Sequence, residues 1–305
     1  MKRIFAFVLI LAVTFSLAAC GTSNEFDVEE ETQIVVGLEA AYAPFNWATP
    51  ETNDFTVEIS GQSGMYADGF DVVMAQAIAD ELGLELVIKA IEWDGLIPAL
   101  LAGEIDLIIA GMSPTPERSE TVAFTDEYYR SEQVMVVNRD GNYANATSLD
   151  DFSGARVVAQ LGTLQDDLIG QIDGVNHLEA LNDYPTLTTA LLNNAADAFV
   201  AELPVAQGVV QSNPDQFSIV SFVEGQGFEV SDEDVVVSIA LRQEDVTLLG
   251  LINDVLAMIS TDTRNAYMEA ALGRQPQSWF IKHFLLEMPF LRRFGIWLIH
   301  MDRFL

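Results

Sequence analysis

The sequence predicts an α/β protein made of open sheets in two lobes. Three observations lead there. Short apolar runs alternate with runs of helical period, the alternation that builds βαβ units. The chain has 305 residues, 50% of them hydrophobic, enough for two cores of ordinary size. A pattern of strand end, glycine and helix start occurs in each half, at Ala110–Arg118 and at Gln160–Leu164.

The formal net charge of −32 argues against a nucleic-acid partner, because phosphate binding needs a basic face. It also implies a soluble, self-repelling surface, on which a small anionic group would need a local cation. The three histidines, His177, His283 and His300, have no metal-ligand spacing, and no phosphate loop or nucleophile elbow is present. No metal or cofactor is expected.

Lys2 and Arg3 precede an apolar run from Ile4 to Leu17, which reads as a signal peptide over residues 1–19. The run ends Leu17-Ala18-Ala19-Cys20-Gly21, and Cys20 is the only cysteine. This looks like a bacterial lipobox, with Cys20 as the lipidated N-terminus; two or more acyl chains would hold the protein at a membrane. Residues 20–33, largely polar and acidic, read as a flexible tether.

Residues 34–131 form the first part of lobe one. Ile34–Leu38 is a strand running into the loop Glu39–Trp47, where Tyr42, Phe45 and Trp47 flank Pro44. Aromatic residues in such a loop suit binding as well as a hydrophobic plug. Residues 48–68 look like a polar surface insertion. A helix starts near Asp71, with Phe70, Val73, Met74, Ala77, Ile78 and Leu82 at helical spacing, and Gly83 ends it. Leu84–Ile88 is a strand. Asp94 caps a helix bearing Leu96, Ile97, Leu100 and Leu101, stopped at Gly103. Ile105–Ile109 is a buried strand that ends in Ala110 and Gly111; Thr115 then offers an N-cap and Pro116 a first helical residue. A helix start presents free N–H groups, and Arg118 adds a planar fork that fits a carboxylate. The competing reading pairs Arg118 with Glu117, Glu120 or Asp126 on the surface. In open α/β sheets ligands sit beyond the carboxyl ends of strands, so Glu39–Trp47, Trp93 and Gly111–Arg118 can share one crevice.

Gly69-Phe70-Asp71, Trp93-Asp94-Gly95-Leu96-Ile97-Pro98-Ala99-Leu100, Gly103-Glu104-Ile105-Asp106, Ala110–Arg118 and Phe124-Thr125-Asp126 occur in that order. In this order and spacing they resemble the polar amino-acid receptors of ABC importers, bacterial solute-binding protein family 3, from about residue 34 to 274. The resemblance implies a type II periplasmic-binding-protein fold: two open α/β sheets joined by a double-crossing hinge. It implies a receptor, not an enzyme, whose partners are a free amino acid, polar or basic, and the subunits of an ABC permease. It assigns Arg118 to the α-carboxylate, Ser113 to a backbone N–H and hydroxyl, and Gly111 to a carbonyl for the ammonium, with Ala110 beside it. Tyr42 and Trp93 would clamp the side chain. Glu39 falls where relatives that take basic amino acids carry a carboxylate.

Lobe two is expected over 132–222. Gln133–Val137 is a strand and a plausible first crossing, Arg156–Ala159 another, and Gly162-Thr163 leads into a helix. The resemblance carries Thr163 and the Leu164 amide over to the carboxylate. Pro185–Asn194 reads as a helix and Ala196–Val200 as a strand, ending near Glu202, which the resemblance assigns to the ligand ammonium. Glu39 and Glu202 could in principle act as an acid–base pair, but a fully assembled amino-acid clamp argues for binding.

Residues 223–274 are expected to return to lobe one, with the strand Val235–Leu241, a helix over Leu248–Ile259 and another through Tyr267–Leu272. The tail, 275–305, is basic and aromatic: Lys282, Arg292, Arg293 and Arg303 stand against Glu287 and Asp302, among Trp279, Phe280, Phe284, Phe290, Phe294 and Trp297. No apolar run there is long enough for a span. It reads as a truncated junction to a fused permease, an interfacial amphipathic segment, or a helix docked on the body.

Overall fold

A computed structural model describes residues 25–276. The signal peptide, Cys20 and the tail beyond Pro276 lie outside the described residues. The chain opens with β1 (Gln33–Leu38), then four short strands, β2 (Ala41–Tyr42), β3 (Asn46–Thr49), β4 (Val57–Glu58) and β5 (Tyr66–Asp68). Next come α1 (Phe70–Leu82), β6 (Glu85–Ala90), α2 (Leu96–Leu101), β7 (Leu107–Ile108), α3 (Pro116–Ser119) and β8 (Ala123–Arg130). The middle of the chain holds β9 (Gln133–Asn138), β10 (Arg156–Val158), α4 (Leu164–Leu168), β11 (Asn176–His177), α5 (Tyr184–Leu192), β12 (Ala198–Glu202), α6 (Leu203–Ser212) and β13 (Phe217–Val220). It closes with β14 (Val236–Leu241), α7 (Val246–Met258) and α8 (Thr261–Arg274).

Two five-stranded sheets share one plan. In the first, ordered β6-β1-β7-β14-β8, the first three strands run parallel and β14 pairs antiparallel with β7 and β8. In the second, ordered β11-β10-β12-β9-β13, three parallel strands are likewise followed by β9, which pairs antiparallel with both β12 and β13. The pleat sends alternate residues of β9 and β12 into different layers. Val134, Val136, Phe199 and Ala201 join the large core that includes lobe one, and Met135, Val137, Ala198 and Val200 join a second core. Both faces are covered, as parallel-rich sheets require.

The lobes are joined by two neighbouring crossings. β8 passes to β9 through Ser131 and Glu132, and the Ser131 N–H donates to the Val235 carbonyl at 2.8 Å, so the return lies beside the outward crossing. Lobe two extends further than the sequence suggested. The Val223 N–H donates to Thr147 O at 3.1 Å, and Gln171 exchanges two bonds with Glu229. Phe222 and Phe228 pack on the second core. The return thus falls after Glu229 rather than at 223.

Other expectations are corrected. Residues 48–68 are not a mere surface insertion: β3, β4 and β5 form an antiparallel sheet with β2, and Ile59, Ala67 and Asp68 are buried. The tether is not free from residue 25 onward. Phe26 is buried, its N–H donates to Asp245 Oδ1 at 2.7 Å, and Val28 packs on the core. The expected strand Ile105–Ile109 narrows to β7, while α6 and β13 are additions. Asp94 lies within a 3-10 turn, Trp93–Gly95, and does not cap α2. At the end of α8, the Gln275 amide donates to Gly208 O on α6 at 3.0 Å. Gly69 is demanded sterically: at φ 134° an added Cβ would lie 2.2 Å from Phe45 O.

At the base of lobe one, Arg242 donates to Ile105 O at 2.9 Å, pairs with Asp106 at 3.3 Å and with the fully buried Asp245 at 2.9 Å. Removing the guanidinium leaves two carboxylates without their cation. Arg242→Met is expected to cost about 3–5 kcal/mol of stability, read as a lower urea midpoint with unchanged slope.

Candidate ligand-binding site

Each functional side chain sits at the end of a strand or the start of a helix. β1 ends at Leu38, placing Glu39 at its carboxyl end, and Ala40 then turns in the left-handed region at φ 58°. Trp93 follows β6 in the 3-10 turn. After β7 the chain turns at Gly111, φ 63°, where an added Cβ would meet the Tyr42 ring at 2.7 Å. Thr115 caps α3 by accepting from the Arg118 N–H, and Pro116 is its first residue, as expected. In lobe two, Gly162 turns at φ 69° and Thr163 caps α4, accepting from the Asp166 N–H. Glu202 ends β12 and is buried.

These ends meet in a small cavity at the seam between the lobes. Glu39, Tyr42, Trp93, Gly111, Ser113 and Arg118 line it from lobe one; Gln160, Thr163, Leu164, Gln165, Tyr184 and Glu202 line it from lobe two. The sequence nominated nine of these. The tenth nominee, Ala110, does not line the cavity; it is buried in the core. Gln160, Gln165 and Tyr184 were missed. The two glutamines stand within a turn of Gly162-Thr163, and Tyr184 opens α5 just before Pro185, so proximity to a nominated helix start was the available signal.

The lobes touch directly across the cavity. Trp93 Nε1 donates to Gly162 O at 3.0 Å, and Gln160 Nε2 donates to Glu39 Oε1 at 2.7 Å. The Tyr42 hydroxyl donates to Glu202, and the Tyr42 and Tyr184 rings lie 4.9 Å apart. Arg118 donates to two carbonyls, Ser113 O at 2.9 Å and Gly162 O at 3.3 Å, and its guanidinium lies 5.1 Å from the centre of the Trp93 ring. Among the described residues no carboxylate ion-pairs with it, so the surface pairing with Glu117, Glu120 or Asp126 is not what the structure holds.

Charge is under strain here. Burial lowers the Arg118 pKa, with the Glu202 charge working against that shift. Burial raises the Glu202 pKa, and the Tyr42 bond, the Gln165 bond and the Arg118 charge pull it back. Burial pushes Glu39 up to about 7, opposed by the Gln160 bond and reinforced by the Asp183 and Glu92 charges. What the cavity offers chemically is one cationic fork from lobe one and one buried carboxyl group from lobe two, with a second carboxyl, Glu39, also lining it.

Two lobes, a double crossing and a polar cavity at the seam define a protein that binds a small solute between its lobes. The chain belongs to the bacterial extracellular solute-binding proteins, family 3, whose model matches residues 34–273. It is 30% identical to the arginine-binding extracellular protein ArtP of Bacillus subtilis over 249 residues, covering 80% of this chain and 88% of that one. It is 31% identical to a probable histidine-binding protein of Campylobacter jejuni, covering 74% of this chain and 84% of that one. A solved amino-acid ABC transporter substrate-binding protein from Streptococcus pneumoniae, bound to L-arginine, superposes with a TM-score of 0.69 at 25% identity, covering 81% of this chain and 96% of that one.

Glu39 and Asp71 both have carboxyls raised to about 7 by burial. A raised folded-state value means the native protein holds those protons more tightly than the unfolded chain. The stability they contribute is complete below their unfolded pKa values and is lost as pH rises through about 7. The ligand-free protein is therefore expected to resist urea better near pH ~5.5 than near pH ~8, and Glu39→Gln should shrink that difference.

Proposed function

We propose that this chain captures a free α-amino acid with a cationic side chain between its lobes and presents it to an ABC permease on the outer side of the membrane. The observation that carries the reading is a guanidinium and a buried carboxyl, one from each lobe, bordering the same cavity with no charged partner in ion-pairing contact among the described residues. A zwitterion supplies both missing partners at once. In this reading Arg118 holds the α-carboxylate, assisted by Ser113, Thr163 and the Leu164 amide. Glu202 and the Gly111 carbonyl take the ammonium. Tyr42 and Trp93 flank the side chain, and Glu39 meets its positive end, where Gln160 is the present partner.

The names of the relatives support a basic amino acid, as does the acidity of the chain, which concentrates cations at its surface. The open cleft would bind the solute on lobe one, and lobe two would then add contacts available only on closure. Such differential contacts are what shift the population toward the closed form. Cys20, if lipidated, would hold the receptor at the membrane within reach of the permease.

Calorimetric titration with the twenty amino acids tests this. L-arginine is expected to bind, with loss of about 2–5 kcal/mol in Arg118→Ala, the usual cost of breaking a buried charge pair. Below pH ~7, binding should release a proton as Glu39 ionises against the incoming cation, seen as a buffer-dependent heat. Unchanged arginine affinity in Arg118→Ala rejects the carboxylate role.

A further inference from the structure

Behind the cavity, one buried carboxylate connects the two lobe-one loops that face it. The Gly111 N–H donates to the Tyr128 hydroxyl at 3.0 Å, and that hydroxyl donates to Asp71 Oδ1 at 2.7 Å. On the other side, Asn46 Nδ2 donates to Asp71 Oδ2 at 2.8 Å, and Asn46 Oδ1 accepts from the Ala40 N–H at 2.7 Å. Asp71, Asn46 and Tyr128 are each fully buried. The two backbone ends can only donate, so the direction of every bond in the chain is fixed, and Asp71 accepts at both of its oxygens. The chain ends at two unusual backbone positions. Ala40 and Gly111 both occupy the left-handed region, φ 58° and 63°, and alanine is there against its intrinsic preference. Ala40 directly follows Glu39.

We propose that Asp71 is a positioning residue: through Asn46 and Tyr128 its carboxylate holds the left-handed turns at Ala40 and Gly111, and so sets where Glu39 and the Gly111 carbonyl face the amino acid. The inference rests on the ligand-site reading above. No cation pairs with Asp71 among the described residues; its ionisable neighbours are Tyr128 on β8 and the Glu202 charge from lobe two. Its place in the first turn of α1 puts it at the positive end of the helix dipole, which favours the ionised form. Burial still pushes it up to about 7, with the Asn46 and Tyr128 bonds resisting. An amide cannot replace it without cost. An amide at position 71 presents a donor to Asn46, which must then turn its own oxygen inward and set its NH₂ against the Ala40 N–H. One end of the chain of bonds is lost.

That polarity argument supplies its own rescue. In the double variant Asp71→Asn with Asn46→Asp, the amide donates to the new carboxylate, which still accepts from the Ala40 N–H, and Tyr128 still donates to position 71. Amide hydrogen exchange in the ligand-free protein reads the two ends directly. Asp71→Asn is expected to speed exchange at Ala40 or Gly111 by about tenfold or more and to weaken L-arginine binding about tenfold. The double variant should restore both. Tyr128→Phe, which cuts only one arm, should loosen Gly111 and leave Ala40 protected. Unchanged exchange at both amides in Asp71→Asn overturns the proposal, as does a double variant no better than the single one. The exchange result needs no ligand, so it stands apart from whether L-arginine is the solute.

Discussion

A closed cleft with unpaired charges of opposite sign on its two walls is an incomplete electrostatic object. Taking a charge out of water costs several kcal/mol unless a partner repays it. Among the described residues Arg118 has the Ser113 and Gly162 carbonyls and the Trp93 ring, and Glu202 has Tyr42 and Gln165; the two charges act on each other across the cleft but form no ion pair. Closing the lobes on empty space is therefore penalised at the very groups that closing buries. A solute carrying both charges removes the penalty on both walls. That coupling makes closure report occupancy, and the rest of the architecture serves it.

Each lobe brings the same strand-turn-helix device to the cavity; the first carries Arg118, while Glu202 stands at the carboxyl end of β12. Parallel strands end, a residue with positive φ turns the chain, and a capped helix begins, at Gly111–Thr115 and at Gly162–Thr163. Side chains placed this way are fixed by backbone geometry rather than by loop packing. The adjacent crossings at Ser131 and Val235 let the lobes move as units, in the hinge closure for which periplasmic binding proteins are a standing example. The buried Asp71 chain ties together the two lobe-one loops that bring Glu39 and Gly111 to the cavity.

Most of the site was legible because its signals are local. Thr115-Pro116 announces a helix start, and a glycine before it announces a turn, whatever the tertiary context. The burial of Asp68 and the docking of Phe26 were not legible, because both depend on partners far along the chain: Arg274 for Asp68 and Asp245 for the Phe26 N–H. Periodicity sees neighbours within a few residues and is blind to these. The same limit hid Tyr184, which reaches the cavity because α5 packs on β9 and β12 of lobe two and against β2 of lobe one. Asp71 read only as the neighbourhood of a helix start and part of a motif; its bonds to Asn46 and Tyr128 span 25 and 57 positions.

The two-ended clamp is tested most directly with solutes that lack one charge. Titrating the protein with L-arginine, with its amide, which has lost the carboxylate, and with its Nα-acetyl derivative, which has lost the ammonium, separates the two walls. Both analogues should bind at least about a hundredfold more weakly than L-arginine, since each leaves one buried charge without its partner. An analogue that binds as tightly as the free amino acid would mean that one wall does not grip the solute, and the clamp would be wrong.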